Sequence, residues 1–438
     1  MALGGGTWIT QSKILPGSYI NFVSASRASA ALSERGIATM PLELSWGPDD
    51  EVFTVTAEAF QKDSIKIFGY PYTHDALKGL RDLFINIKTG YFYKLNSGGV
   101  KASNSYATAL YTGVRGNNLR IVIEAAEEST EEAPVYDIST YLDSSLVDVQ
   151  TVSQASQLKD NDFVTFKSDA TLALTAGTPL AGGTDGTVQD AAYQFYLDKM
   201  ESYSFNTMGC LSTDATVKRL FINFTRRLRD DCGVKFQTVL FRPQNVDYEG
   251  IIGVENGLAE DDDDPSLVYW TTGAQAGCAV NKSRTNAAYT GEFSVAAGYT
   301  QAELTAGIQA GKFMFHQVND QVRVLEDINT FVSFTDEKSA DFSSNQTMRV
   351  LDQLGNDDAL LFNTKYLGQM PNDESGRISL WNDLVKLRQE LQKLRAIENF
   401  VSEDLTVQQG ETKKSVVTTG YVTPVNAMAQ LYMTVVVA

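Results

Sequence analysis

Histidine is almost missing from this chain: His74 and His316 are the only two in 438 residues. That scarcity weighs against metal and acid–base chemistry, which lean on imidazole. Cysteine is nearly as sparse. Cys210, Cys232 and Cys278 are an odd, widely spaced set, which points to a reducing compartment rather than a disulfide framework. No run of about eighteen apolar residues is present, so no transmembrane helix is expected. The N-terminus lacks the basic-then-apolar order of a secretion signal. Positive charge is in deficit: 36 Lys and Arg face 54 Asp and Glu, a net charge of −18. Broad binding to nucleic acid or insertion into anionic membrane is therefore not expected. There is no Gly-x-Ser-x-Gly elbow, no His-Glu-x-x-His and no Cys-x-x-Cys. No catalytic cluster, cofactor site or metal site is assigned. Of the enzymes, an acidic α/β hydrolase or glycosidase working through paired carboxylates stays open as the alternative.

What is present is enough apolar material, 43% of residues, for substantial cores, and length for roughly two to four domains. The ends carry most of the information. Met1 to Pro16 runs through Gly4–Gly6 into Thr7, Trp8, Ile9 and Thr10. Ala427 to Ala438 includes Leu431, Tyr432, Met433, Thr434, Val435, Val436 and Val437, a strand-forming run. An apolar strand of this kind either closes its own sheet or joins a sheet in another molecule. Gly4–Gly6 and Gly410 are candidate hinges, since glycine accepts wide φ/ψ change.

The spacing predicts strands over Ser18–Val23, Gly36–Trp46 and Gly90–Leu95, with a helix over Asp75–Asn86. From Ser97 to about Gly177 the texture becomes short strands and turns. Alternation resumes afterwards: helices over Asp190–Tyr203, Thr216–Cys232 and Tyr299–Ala310, strands over Asn206–Ser212, Lys235–Arg242, Phe313–Val318 and Gln321–Leu325. This reads as a multidomain α/β or α+β protein, a mixed α/β core carrying an inserted small all-β domain and extended strand arms. The expected boundaries are an arm over 1–16, core over 17–96, inserted β domain over 97–177, core over 178–400, and a C-terminal segment with its arm over 401–438.

Three features invite a ligand. The glycine-rich Gly182–Gly186 precedes a helix but lacks either phosphate-loop pattern and reads better as a turn. Glu260–Asp264 is contiguous rather than spaced as in a calcium loop, so a solvated loop fits it better, as it does Glu127–Glu132. Ile378–Phe400 has Leu380, Leu384, Leu387, Leu391 and Leu394 in a heptad-like stripe. Lys386 and Lys393 are seven apart, as are Arg388 and Arg395, so each pair is expected on one helix face. The helix is either an ordinary amphipathic one or a basic docking face in an acidic protein.

The order of several short motifs resembles the tail sheath proteins of contractile-tailed bacteriophages and phage-tail-like bacteriocins, with the flavour of the Gram-positive and clostridial type. Leu15-Pro16-Gly17-Ser18-Tyr19 is similar to the entry after the N-terminal arm. Gly113-Val114-Arg115-Gly116-Asn117 is similar to the turn of the inserted domain, and Leu180–Gly186 to its return. Asp327-Ile328-Asn329-Thr330 is similar to a strand region where the family often has glycine at the Asp327 position, and Pro424–Val437 to the closing strand. The resemblance implies a structural protein, not an enzyme; another tail or baseplate structural component stays open as a second alternative. It implies a homo-oligomer of stacked hexameric rings around an inner tail tube, bounded by baseplate and tail terminator proteins. It also implies arms that add strands to neighbouring subunits, and a virion or particle tail assembled in the bacterial cytoplasm and released on lysis. Ile378–Phe400 occupies the position from which such proteins grip the tube, making Lys386, Arg388, Lys393 and Arg395 the candidate tube contacts.

Overall fold

The structure is a computed structural model that describes residues 32–437. The expected strand Ser18–Val23 and the arm residues Thr7–Thr10 lie outside the described residues. The described residues divide into a larger unit, 34–355 with 424–437, and a smaller one, 32–33 with 356–423.

The larger unit opens with β1 (Ile37–Leu42), β2 (Val52–Thr56), α1 (Ala57–Phe68), α2 (Lys78–Phe84) and β3 (Thr89–Lys94). The insertion follows as β4 (Ala107–Ala109), β5 (Leu119–Ala125), β6 (Tyr136–Leu142), β7 (Ser145–Val152), β8 (Val164–Phe166) and β9 (Thr175–Pro179). The core resumes with α3 (Asp190–Met200), β10 (Thr207–Cys210), α4 (Ala215–Arg226), β11 (Gln237–Phe241) and β12 (Ile251–Val254). After these come α5 (Leu267–Gly277), α6 (Gln301–Gln309), β13 (Lys312–Phe313), the hairpin β14 (Phe315–Val318) and β15 (Gln321–Val324), and α7 (Asn345–Leu361), within which the two units meet in sequence.

One seven-stranded sheet, in the order β13-β12-β11-β10-β1-β3-β2, organises this unit. Every pairing is parallel except the edge pair β2–β3. Parallel strands need crossovers, and those helices cover both faces. Successive side chains point to opposite faces. Val239 and Phe241 therefore pack with Phe60 of α1, Leu83 of α2 and Trp270 of α5. Leu240 between them packs with Tyr196 of α3 and Phe221 of α4.

The inserted domain is a four-stranded antiparallel sheet, β7-β6-β5-β9, with the short pair β4–β8. It has a core of its own, built on Leu119, Ile121, Ile123, Ile138, Leu142 and Phe163, and that core also takes in Trp46 from the β1–β2 connection. Pairing runs past residue 177: Ser103 bridges Ala181 and Val100 bridges Thr184.

In the smaller unit α8 spans Glu374–Lys393, started by the Asp373 carboxylate accepting from the Gly376 N–H at 2.8 Å. A two-residue strand β16 (Ile397–Glu398) precedes the antiparallel ribbon of β17 (Leu405–Gln409) and β18 (Val416–Gly420). The ribbon is tied to its own unit: the Trp381 indole donates to the Leu405 carbonyl at 2.8 Å, and the Asn372 amide to the Ser415 carbonyl at 2.8 Å. Gly410 lies at the β17–β18 turn. Its N–H donates to the Ser415 carbonyl at 2.9 Å, closing that turn.

Candidate functional site

The C-terminal arm joins none of the described sheets. Among the described residues, 428–437 form no strand. Leu431, Tyr432, Met433, Val435, Val436 and Val437 are all at least 71% exposed. The chemistry of a strand is there, but among the described residues no second strand supplies the ladder. Just before it the chain is held firmly. The Val425 carbonyl accepts from Gln346 Nε2 at 2.9 Å, the Ala427 N–H donates to Gln346 Oε1 at 2.9 Å, and Asn426 meets the hydroxyls of Ser344 and Thr347 at 3.1 Å each. Sequence spacing gave no signal for Gln346, because a side chain that serves an adjacent backbone leaves no periodicity.

The two glycine motifs of the insertion meet each other. The Asn117 amide accepts from the Gly183 N–H at 2.8 Å and donates to the Gly183 carbonyl at 2.9 Å. Asp185 accepts from the Val114 N–H at 3.0 Å and lies 3.1 Å from the Ser45 hydroxyl. Gly113 has φ +130°, and a Cβ there would fall 2.1 Å from the Ser45 carbonyl oxygen, so only glycine fits. Gly182–Gly186 is thus a clasp at the neck of the domain. Asp185 ties the neck rather than starting a helix, and α3 is preceded by Gln189.

The Asp327 to Thr330 stretch is equally structural. Asp327, wholly buried, pairs with Arg349 at 2.5 Å and accepts from Gln275 at 2.7 Å, Asn345 at 3.0 Å and the Arg284 N–H at 2.9 Å. Burial alone would raise its carboxyl, but Arg349 and these donors outweigh burial and hold it below the usual range. In the acidic loop, Asp262 and Asp263 face Arg242 at 2.7 and 3.3 Å. His316, on β14, is half-buried, and burial lowers its pKa.

On α8 the leucine stripe packs inward through Leu380, Leu384, Leu387 and Leu391, while Leu394 lies past the helix end and is exposed. The four candidate cations are not equivalent. Lys386 is exposed, with its Nζ 3.5 Å from Asp383. Lys393 is exposed and pairs with Glu390 at 2.6 Å. Arg388 is a correction to the expected tube-facing set. It is buried and forks both oxygens of Asp358 at 2.6 Å each, because its helix face is the one turned into the unit. Arg395 does not share a helix face with Arg388. It lies beyond the end of α8 with φ 60°, where its N–H donates to the Gln392 carbonyl and the Ala396 N–H to the Leu391 carbonyl, each at 2.9 Å. That pair of bonds is a Schellman cap with arginine in the left-handed position.

These parts define a class: a structural subunit with a doubly covered sheet, a clasped β-sandwich insertion and an unpaired apolar arm. Four family models cover most of the chain: the tail sheath Gp18 domain III N-terminal region over 35–91, the phage tail sheath β-sandwich domain over 97–185, the central domain over 186–330 and the C-terminal domain over 337–438. The chain belongs to the phage tail sheath protein family. It is 32% identical to the phage-like element PBSX protein XkdK of Bacillus subtilis over 99% of both chains. A sheath tail protein of Desulfitobacterium hafniense superposes with a TM-score of 0.81 at 37% identity, covering 94% of this chain and 98% of that one. One of Listeria innocua gives 0.78 at 31% identity, covering 91% and 93%. The anti-feeding prophage sheath in its contracted state shares the fold, at 12% identity and a TM-score of 0.56. The protein is accordingly a phage tail sheath subunit, a structural protein rather than an enzyme, and the hydrolase alternative is set aside.

Proposed function

We propose that this subunit polymerises as stacked hexameric rings around an inner tail tube, between baseplate and terminator proteins, and contracts to drive the tube through a target envelope. Both terminal arms link neighbouring subunits. The observation that carries this reading is the run 428–437: uncharged, rich in β-branched residues, and exposed with its backbone unpaired. Left alone, such a segment is a liability; added to a neighbour's sheet, its main chain gains a ladder and its side chains a register. The β17–β18 ribbon is a fitting receiver, since two strands alone are marginal and both of its outer edges carry no further strand among the described residues.

Lys386, Lys393 and Arg395 are the cations of the C-terminal helix region available to a tube, and a hydrated charged contact can be released on contraction more readily than a broad apolar one. No nucleotide is consumed; the work comes from differences in inter-subunit contacts between the two states. Assembly takes place in the bacterial cytoplasm, with release on lysis. No nucleic acid is contacted directly and no membrane is entered; no helix among the described residues is long and apolar enough to cross one.

Negative-stain microscopy of the full chain, and of variants lacking residues 1–15 or 433–438, tests the reading. Rods or rings are expected from the full chain, and folded protein without ordered sheath from each truncation. Normal rods from both truncations would end the arm-linkage proposal; a discrete oligomer from the full chain would end the polymer proposal.

A further inference from the structure

Gln346 is 2% exposed, and its side-chain amide acts as a piece of backbone. By donating to Val425 and accepting from Ala427, it makes the two bonds that a residue of a parallel strand opposite Asn426 would make. Asn426 adds its own bonds to Ser344 and Thr347. The intervening Asn345 points the other way and is fully buried. It donates to Asp327 at 3.0 Å and to the Ile328 carbonyl at 2.9 Å, and accepts from Gln237 at 2.9 Å. The first turn of α7 is therefore fixed to the buried Asp327–Arg349 network on one side and to the base of the arm on the other.

We propose that Gln346 is a positioning residue that sets the length of the arm. This rests on the reading that the arm links subunits. With residues 425–427 clamped, the tether begins at residue 428, and its ten described residues, 428–437, reach roughly 33 Å when extended. Releasing the clamp adds three residues, roughly 10 Å of slack. Slack of that size leaves the linkage chemically intact. It lowers the effective concentration of the arm at its receiver and loosens the spacing between subunits. Tension from a linked neighbour enters the core at the α7 turn, where the Asp327 network meets it.

The test uses full-length Gln346→Met and Gln346→Glu. Methionine keeps the length of the side chain and removes both bonds. Glutamate as a carboxylate accepts from Ala427 but repels the Val425 carbonyl; protonated, it regains a donor. Hydrogen exchange on unassembled protein should show the Ala427 amide protected in the wild type. Protection should drop about tenfold or more in Gln346→Met at every pH. In Gln346→Glu it should drop at neutral pH and return as the pH is lowered, a dependence that loss of packing alone would not produce. Rods of Gln346→Met should form, with broadened axial spacing in averaged images. An unprotected Ala427 in the wild type, or full protection in Gln346→Met, overturns the clamp. Wild-type axial order in Gln346→Met rods overturns its role in tether length. Failure of the arm-linkage reading is seen separately, as normal rods from the arm-truncated proteins.

Discussion

Arg388→Ala separates a structural cation from a docking one. In the smaller unit the Arg388 guanidinium makes two 2.6 Å bonds to Asp358 and a third, at 3.2 Å, to the Leu384 carbonyl. The side chains are 7% and 28% exposed. Removing one partner of a buried pair costs about 3–5 kcal/mol, chiefly because the other charge is left without compensation. Asp358 keeps some access to water, so the lower end, about 3 kcal/mol, is the expected loss. Replacing both residues with leucine should recover most of it, since neither charge is then buried. The loss should also depend on pH. Burial already raises the Asp358 carboxyl above its ordinary value, with Arg388 opposing the rise. Without Arg388 the rise is larger. A raised carboxyl pKa means that the folded state holds the proton more tightly than the unfolded one. The penalty is therefore full above the folded-state pKa and shrinks as pH falls through it. Urea unfolding at neutral and mildly acidic pH, followed by hydrogen exchange in peptides from α8, reads the effect in the right unit of a chain that need not unfold in one step. Wild-type stability of Arg388→Ala with loss of binding to the inner tube would refute the argument, and would return Arg388 to the surface.

Reversing Lys386, Lys393 and Arg395 together to Glu should leave the unassembled protein folded and weaken co-sedimentation with the inner tube at low salt; unchanged binding would mean that the tube is gripped elsewhere. Arg395→Gly should separate stability from binding. It relieves a left-handed arginine, for a net gain of up to about 1 kcal/mol, while removing a cation from the proposed contact; a less stable variant by urea unfolding would overturn the capping argument. Trp46→Ala should cost about 3–5 kcal/mol and open the inserted domain to protease. The reason is that Trp46 is fully buried, donates from Nε1 to the Lys66 carbonyl at 3.0 Å, and packs 5.2 Å from Tyr111 and 6.2 Å from Phe163. Unchanged protease resistance would show that the insertion folds without it.

The parts of this protein legible in its sequence are those whose cause is local. The strands at Ile37–Leu42, Thr89–Lys94, Thr207–Cys210 and Gln237–Phe241, and the helix carrying the leucine stripe, follow from periodicity and β-branched runs. Two long helices left no such trace. In α5, Leu267, Val268, Trp270, Thr271, Thr272 and Ala274 are all buried, so no polar face alternates with the apolar one. In α7 the buried positions mix Asn345, Gln346, Arg349, Asp352 and Gln353 with Met348 and Val350, so polar side chains interrupt the stripe and no hydrophobic period marks the helix. Arg388 was misplaced for a related reason: charge marks a residue as costly to bury, yet Asp358, thirty positions away, is what makes burial tolerable.

The C-terminal run is the opposite case. Its propensity is plain in Leu431 to Val437, and yet the structure has no strand there. Propensity belongs to one chain, whereas a ladder needs the N–H and C=O groups of a second row. Gln346 supplies that row for one residue pair and then stops, which leaves residues 428–437 as strand-forming chain without a sheet. Strand chemistry without a strand, directly after a backbone-like clamp, is what an arm requires: apolar enough to be held by a neighbour, and fixed closely enough at its base to transmit the neighbour's position.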